Sequence, residues 1–127
     1  MACVLCDRLA AGDLLAENER AAAFADAYPL TRGHALVVPR RHEPDFLALT
    51  QDEQISIWLL VDPVRQHVQA RYRPDGYNLG INVGVAAGQT IGHAHLHVIP
   101  RYAGDVEDPR GGIRWIVPAK ARYWDRP

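Results

Sequence analysis

An α+β domain, with an antiparallel sheet carrying a long helix on one face, is the fold class the sequence predicts. Three observations carry this prediction. Apolar and polar residues alternate in two runs, 77–83 and 92–101, separated by a glycine-bearing loop at 84–92, a pattern that neighbouring antiparallel strands leave. Ile55, Leu59, Leu60 and Val64 recur at helical intervals after Thr50 and Glu53, which have capping-box spacing. The 127 residues are 48% hydrophobic, enough for the core of one domain, and no repeat or linker-like stretch divides them.

In chain order, residues 21–26 read as a strand and 29–33 as a turn. His34-Ala35-Leu36-Val37-Val38-Pro39 is nearly continuous in apolar residues and reads as a buried strand. The helix is predicted over about 51–72; Pro63 removes one internal hydrogen bond and so kinks it or divides it in two. Arg73-Pro74-Asp75-Gly76 closes the helical region before the two alternating strands. From about residue 102 the chain is rich in turn formers (Pro109, Gly111, Gly112, Pro118) and carries Trp115 and Trp124, which predicts an irregular tail packed on a single domain of residues 1–127.

Fourteen basic and 15 acidic residues leave a formal charge of −1, too little field to attract a nucleic-acid polymer, whereas a small phosphorylated ligand needs only local charge. The longest apolar run, 55–61, is far too short to span a bilayer, and the first residues lack a signal-peptide plan. A cytoplasmic protein without a membrane partner is expected. In such a compartment Cys3 and Cys6, spaced C-x-x-C, point to metal or redox chemistry before a structural disulfide.

The run Gly92-His93-Ala94-His95-Leu96-His97-Val98-Ile99-Pro100-Arg101 is the most informative segment. On a strand, Ala94, Leu96 and Val98 would fill a core while three imidazoles share the opposite face. Those rings suit either a metal site or a neutral imidazole attacking phosphorus. At about 3.4 Å per residue, His93 and His97 have backbones roughly 13–14 Å apart, too far to share one ion comfortably, so the three must divide their duties.

The alternation in His93-Ala94-His95-Leu96-His97-Val98-Ile99 resembles the signature of the histidine-triad superfamily of nucleotide hydrolases and transferases. Gly88-Gln89-Thr90 just before it, Asn82 seven residues ahead of Gln89, and Arg32-Gly33-His34-Ala35-Leu36-Val37-Val38-Pro39 extend the likeness over about residues 3–104. The resemblance implies a five-stranded antiparallel sheet with one long and one short helix. It also implies a homodimer joined along the helix and a strand edge.

For chemistry, the resemblance implies that His95 attacks the α-phosphorus of a nucleotide and forms a nucleotidyl-histidine. His97 would then hydrogen-bond the phosphate oxygens or the leaving group, with His34 behind the site. Asn82, Gln89 and Thr90 would donate to the phosphoryl group, and Asp26 would take the ribose hydroxyls. His42 and His93 match the family's partners for Cys3 and Cys6 in a closed, structural zinc site; magnesium is expected only as a companion of the substrate.

Two features bear on the substrate. Gly88-Gln89-Thr90 and Pro100-Arg101-Tyr102-Ala103-Gly104-Asp105 resemble the dinucleoside polyphosphate hydrolase branch, whose substrates include diadenosine tetraphosphate. Gly92 stands where many members carry a larger residue, and the tail 105–115 is not that of the nucleoside phosphoramidase branch. A dinucleoside polyphosphate is the expected substrate, with a nucleoside phosphoramidate or a nucleotide-sensing module of little turnover as alternatives. Arg101, Arg110 and Arg114 are candidates for contacts to the polyphosphate.

Overall fold

The computed structural model describes residues 2–127. Helix α1 (Val4–Ala11) is bracketed by Cys3, whose Sγ accepts from the Cys6 amide at 3.4 Å, and by Gly12, left-handed at φ 76°. Strands β1 (Ala16–Glu17), β2 (Ala21–Ala25) and β3 (Ala35–Pro39) follow, then helices α2 (Gln51–Leu59) and α3 (Val61–Tyr72), strands β4 (Gly76–Ile81) and β5 (Leu96–Arg101), and a short α4 (Pro118–Ala121). The sheet has the order β1-β2-β3-β5-β4 with every pairing antiparallel. The fold is α+β, as predicted.

Both faces of the central strands are covered, which explains why β2 and β3 read as unbroken apolar runs. Ala21 and Ala23, Ala35 and Val37, and Leu96 and Val98 face the α2/α3 side, where Ile57, Leu60, Val64 and Val68 complete the main core. Phe24, Leu36 and Val38 face the other way and are covered by Leu5 of α1. Ala21, Ala22 and Ala23 of β2 are fully buried.

Of the two outcomes expected for the 51–72 helix, a kink or a division, the structure shows the division. The break falls at Leu60, and Pro63 lies in the first turn of α3, where a helix's amides have no intrahelical acceptor and a missing N–H costs little. At the other end, Thr50 Oγ1 accepts from the Glu53 amide at 3.1 Å while a Glu53 carboxylate oxygen accepts from the Thr50 amide at 3.0 Å. The same carboxylate takes two bonds from Arg41, at 2.9 and 3.1 Å. Arg41 and then the Thr50 amide hold Glu53 down to a pKa of about 2. Glu53→Ala should therefore cost about 1–2 kcal/mol in denaturant unfolding, and Glu53→Gln, which keeps an acceptor for the cap, measurably less.

One difference concerns the histidines. Only His97 lies within β5; His93 and His95 precede it, and the Ala94 amide bonds to the Glu43 carbonyl at 2.7 Å instead of joining a strand ladder. The alternation still holds, with Ala94, Leu96 and Val98 in the main core. The rings do not meet open solvent, however: α1 and the adjoining loops cover that face, leaving His93 and His95 buried.

Candidate active site

Hydrogen bonding assigns a distinct role to each imidazole, because a carbonyl only accepts and an amide N–H only donates. His95 Nδ1 lies 2.8 Å from the His93 carbonyl, so that nitrogen carries the proton and Nε2 keeps its lone pair. His34 Nδ1 accepts from the Leu30 amide at 3.1 Å, so its Nε2–H is free to donate to His97 Nδ1 at 3.0 Å. His97 Nε2 then carries the remaining proton. A lone-pair nitrogen and a donor N–H thus sit on neighbouring rings whose centroids are 5.0 Å apart.

Asp26 closes the chain. One carboxylate oxygen is 3.5 Å from His34 Nε2 and the other accepts from the Tyr28 amide at 2.8 Å. Asp26, His34 and His97 could in principle hold an ion, since their ligand atoms lie within 4.8 Å of one another. The His34–His97 bond already uses both nitrogens, and the trio works better as a hydrogen-bond chain.

Burial first, then the neighbouring His95 and His34, lower the pKa of His97 to about 4, with Asp26 opposing; burial also lowers that of His34. His97 is consequently neutral in the folded protein at pH 5 and above. Between its ordinary value of 6.5 and about 4 the unfolded chain binds more protons at this position than the folded one. Stability should fall as pH drops through that window, and His97→Gln should flatten this part of a stability-against-pH curve.

A cavity of about 340 Å³ joins these groups: His95, His97, His34, Asp26, Asn82, Gly88 and Thr90 all line it. Gln89 does not. Its Oε1 accepts from the Gly84 amide at 2.9 Å, and its amide nitrogen donates to the Pro44 and Ile91 carbonyls at 2.7 and 2.9 Å. In this structure the Gln89 side chain clamps the loop, and its position in sequence could not reveal which way the amide turned. The wall that sequence reasoning missed is α1. Val4, Leu5 and Arg8 line the cavity, with Arg8 donating to the Ala25 carbonyl at 2.9 Å and stacked 4.5 Å over Phe24. The capping signals of Cys3 and Gly12 could have revealed that helix.

A second cluster, of Cys3, Cys6, His42 and His93, lies beyond the cavity. His93 donates from Nε2 to the Pro39 carbonyl at 2.9 Å, which turns Nδ1 toward Cys3, Cys6 and His42. Sulfur-to-nitrogen distances are 3.5 Å for Cys3–His93, Cys6–His93 and Cys6–His42, and the two Nδ1 atoms are 3.3 Å apart. A zinc tetrahedron with metal bonds of about 2.3 Å to sulfur and about 2.05 Å to nitrogen has S···N edges of about 3.5 Å and N···N edges of about 3.3 Å. The four residues therefore fit one tetrahedral ion, with the Pro39 carbonyl as the outer partner that orients a ligating imidazole.

Comparison with known proteins agrees with this geometry. The HIT domain profile matches residues 9–104. A HIT-like protein of Mycoplasma genitalium is 38% identical over 104 residues, covering 79% of this chain and 73% of its own. The asymmetrical bis(5'-nucleosyl)-tetraphosphatase of Schizosaccharomyces pombe is 38% identical over 68% of this chain, which spans only 48% of that enzyme. Among solved structures, a zinc-bound histidine triad family protein from Mycobacterium smegmatis superposes with a TM-score of 0.74 at 30% identity, covering 97% of this chain and 96% of its own. Some of these relatives are nucleotide hydrolases, and this chain is a member of the HIT domain family.

Proposed function

We propose that the protein hydrolyses nucleotides at the α-phosphate through a nucleotidyl-His95 intermediate, with dinucleoside polyphosphates as substrates. The observation that carries this reading is the 2.8 Å bond from His95 Nδ1 to the His93 carbonyl, which makes Nδ1 the donor and, in the neutral ring, puts the free lone pair on Nε2 of a residue that lines the cavity. The lone pair of Nε2 forms a bond to phosphorus as the bridging P–O bond breaks, its electron pair leaving with the departing phosphate. The positive charge that develops on the ring is shared with the carbonyl. His97 Nε2–H donates to the leaving or non-bridging oxygen. Water then attacks phosphorus, the N–P bond returns its pair to His95, and a proton passes to solvent. Asp26 takes the ribose, and Asn82 and Thr90 donate to the phosphoryl oxygens.

A rapid-quench experiment with diadenosine tetraphosphate tests this reading: a burst of leaving nucleotide stoichiometric with sites, matched by nucleotide label on His95, is expected. Steady release without label would overturn it. A nucleoside phosphoramidate is the second reading, favoured by one observation. The Arg101 guanidinium, a candidate contact to the polyphosphate, is already spent on Asp105, at 2.8 Å twice, and on Asn78 at 2.7 Å, so it offers no free charge to a polyphosphate.

In the same reading, Cys3, Cys6, His42 and His93 hold a structural zinc, a cytoplasmic setting keeps the two thiols reduced, and the protein is a homodimer. Ile55, Trp58 and Leu59 of α2 are 46%, 47% and 65% exposed, and β4 ends the sheet with one unpaired edge. A second copy would cover both. Sedimentation is expected to give a dimer at micromolar concentration, with Trp58→Glu shifting it to monomer. Among the described residues no helix is long and apolar enough to cross a membrane.

A further inference from the structure

Arg8 of α1 is a charged side chain that takes no part in the chemistry at phosphorus, yet it stands in the wall of the His95 cavity. Its Nη2 donates to the Ala25 carbonyl at 2.9 Å, and its guanidinium carbon lies 4.5 Å over the centre of the Phe24 ring. Phe24 is fully buried, so the surface on which the guanidinium rests is fixed. No carboxylate pairs with Arg8 among the described residues, and of the five N–H groups of a guanidinium only one is committed, to Ala25. Arg8 is therefore oriented and still keeps most of its donors for a ligand.

The cavity places that guanidinium where a nucleotide carries its base. His95, His97, Asn82 and Thr90 line the cavity where phosphorus would sit, and Val4, Leu5 and Arg8 supply the α1 wall. Asp26 links the two regions: its carboxylate is 3.5 Å from His34 Nε2, and the residue before it, Ala25, holds Arg8. With phosphate at His95 and ribose at Asp26, the base extends to α1. Of the three side chains that α1 offers there, only Arg8 can hydrogen-bond. A guanidinium donates and never accepts. Guanine presents two acceptors side by side, O6 and N7, which a guanidinium fork matches; adenine presents N7 beside an amino group, so N–H would face N–H.

We propose that Arg8 sets the base preference of this site, selecting 6-oxopurine nucleotides, those of guanine and hypoxanthine, over adenine nucleotides through a forked bond to O6 and N7. The proposal rests on nucleotide binding at the His95 cavity and adds to it the identity of the base. Diguanosine polyphosphates are then the better substrates of the same reaction, and diadenosine tetraphosphate a slower one.

Calorimetric titration of the full chain with GMP, IMP and AMP tests it. The wild-type protein should bind GMP and IMP about tenfold more tightly than AMP, toward the lower end of what one forked arginine–guanine contact discriminates. The kcat/KM for diguanosine tetraphosphate should exceed that for diadenosine tetraphosphate by a similar factor. Arg8→Met, which keeps an apolar stem over Phe24 and loses the donors, should bring the three affinities within about twofold of one another. Arg8→Lys, which keeps the charge without the fork, should lose most of the preference as well. A purely structural role for Arg8 would weaken all three nucleotides together and leave their order intact. Equal binding of GMP and AMP by the wild type, or an order that survives both substitutions, would overturn the proposal. So would IMP binding as weakly as AMP, which would place the preference on the 2-amino group. Guanine preference in binding with no label on His95 during turnover would remove covalent hydrolysis and leave the role of Arg8 standing, whereas no binding of any of the three nucleotides would sink both.

Discussion

His95→Ala is expected to lower kcat by at least about a thousandfold while changing nucleotide affinity only a few fold. The separation follows from geometry. Asp26, Asn82 and Thr90 line the same cavity and are untouched by the substitution, so binding persists. The nitrogen that would form the bond to phosphorus is gone, and no other imidazole can replace it: His97 Nδ1 is engaged by His34 and its Nε2 carries a proton, while His93 faces the cysteines. His97→Ala should cost less, because it removes one donor to a developing charge, worth about a hundredfold. Measuring kcat by product release and affinity by direct titration separates the two outcomes. A His95→Ala protein retaining a tenth of the rate would exclude covalent catalysis at this position.

The second large effect concerns the metal. Protein purified without chelator is expected to contain close to one zinc per chain, and Cys6→Ser should lower the thermal midpoint by more than about 10 °C. Beside the contacts of Arg8 with Ala25 and Phe24, the N-terminal segment is tied to the sheet where Cys3 and Cys6 meet His42 and His93, and Leu5 is the only buried side chain of α1. Zinc binding free energy becomes folding free energy when the unfolded chain has no preformed site. All four ligand positions are filled by protein, which leaves none for a reacting water. The rate per folded molecule should therefore stay within a few fold. A metal-free protein of unchanged stability would remove the site, whereas loss of rate at full folding would bring the ion into the reaction.

Much of the molecule was legible in the sequence for local reasons. The 2-residue period of 94–98 and the buried run 35–38 are properties of a pleated strand and survive any packing. The Thr50–Glu53 cap is a contact between neighbours in sequence, and the two bonds it predicts are both present. Cys3 and Cys6 lie one helical turn apart, so their partnership was visible too. That His42 and His93 complete the group came from family resemblance; nothing local to either histidine indicates it.

What depended on distant contacts was not legible. The helical period continued across Leu60, and the positioning of Pro63 in a first turn is a matter of where the second helix starts, which packing on the sheet selects. Gln89 has the composition of a phosphate donor, yet the Pro44 and Ile91 carbonyls claim its amide, and Pro44 is 45 positions away. The same holds for the tail. Turn formers announced irregular chain, but only the folded structure lays Trp115 and Glu107 beside Ile99 and makes a cavity larger than the one around His95. Sequence by itself determined the alternation that sends Ala94, Leu96 and Val98 into the core, because it follows from the period of an extended chain. Tertiary structure alone decided which nitrogen of each ring is protonated and what stands beyond His97, since carbonyls and tail residues that set those properties arrive from elsewhere in the chain.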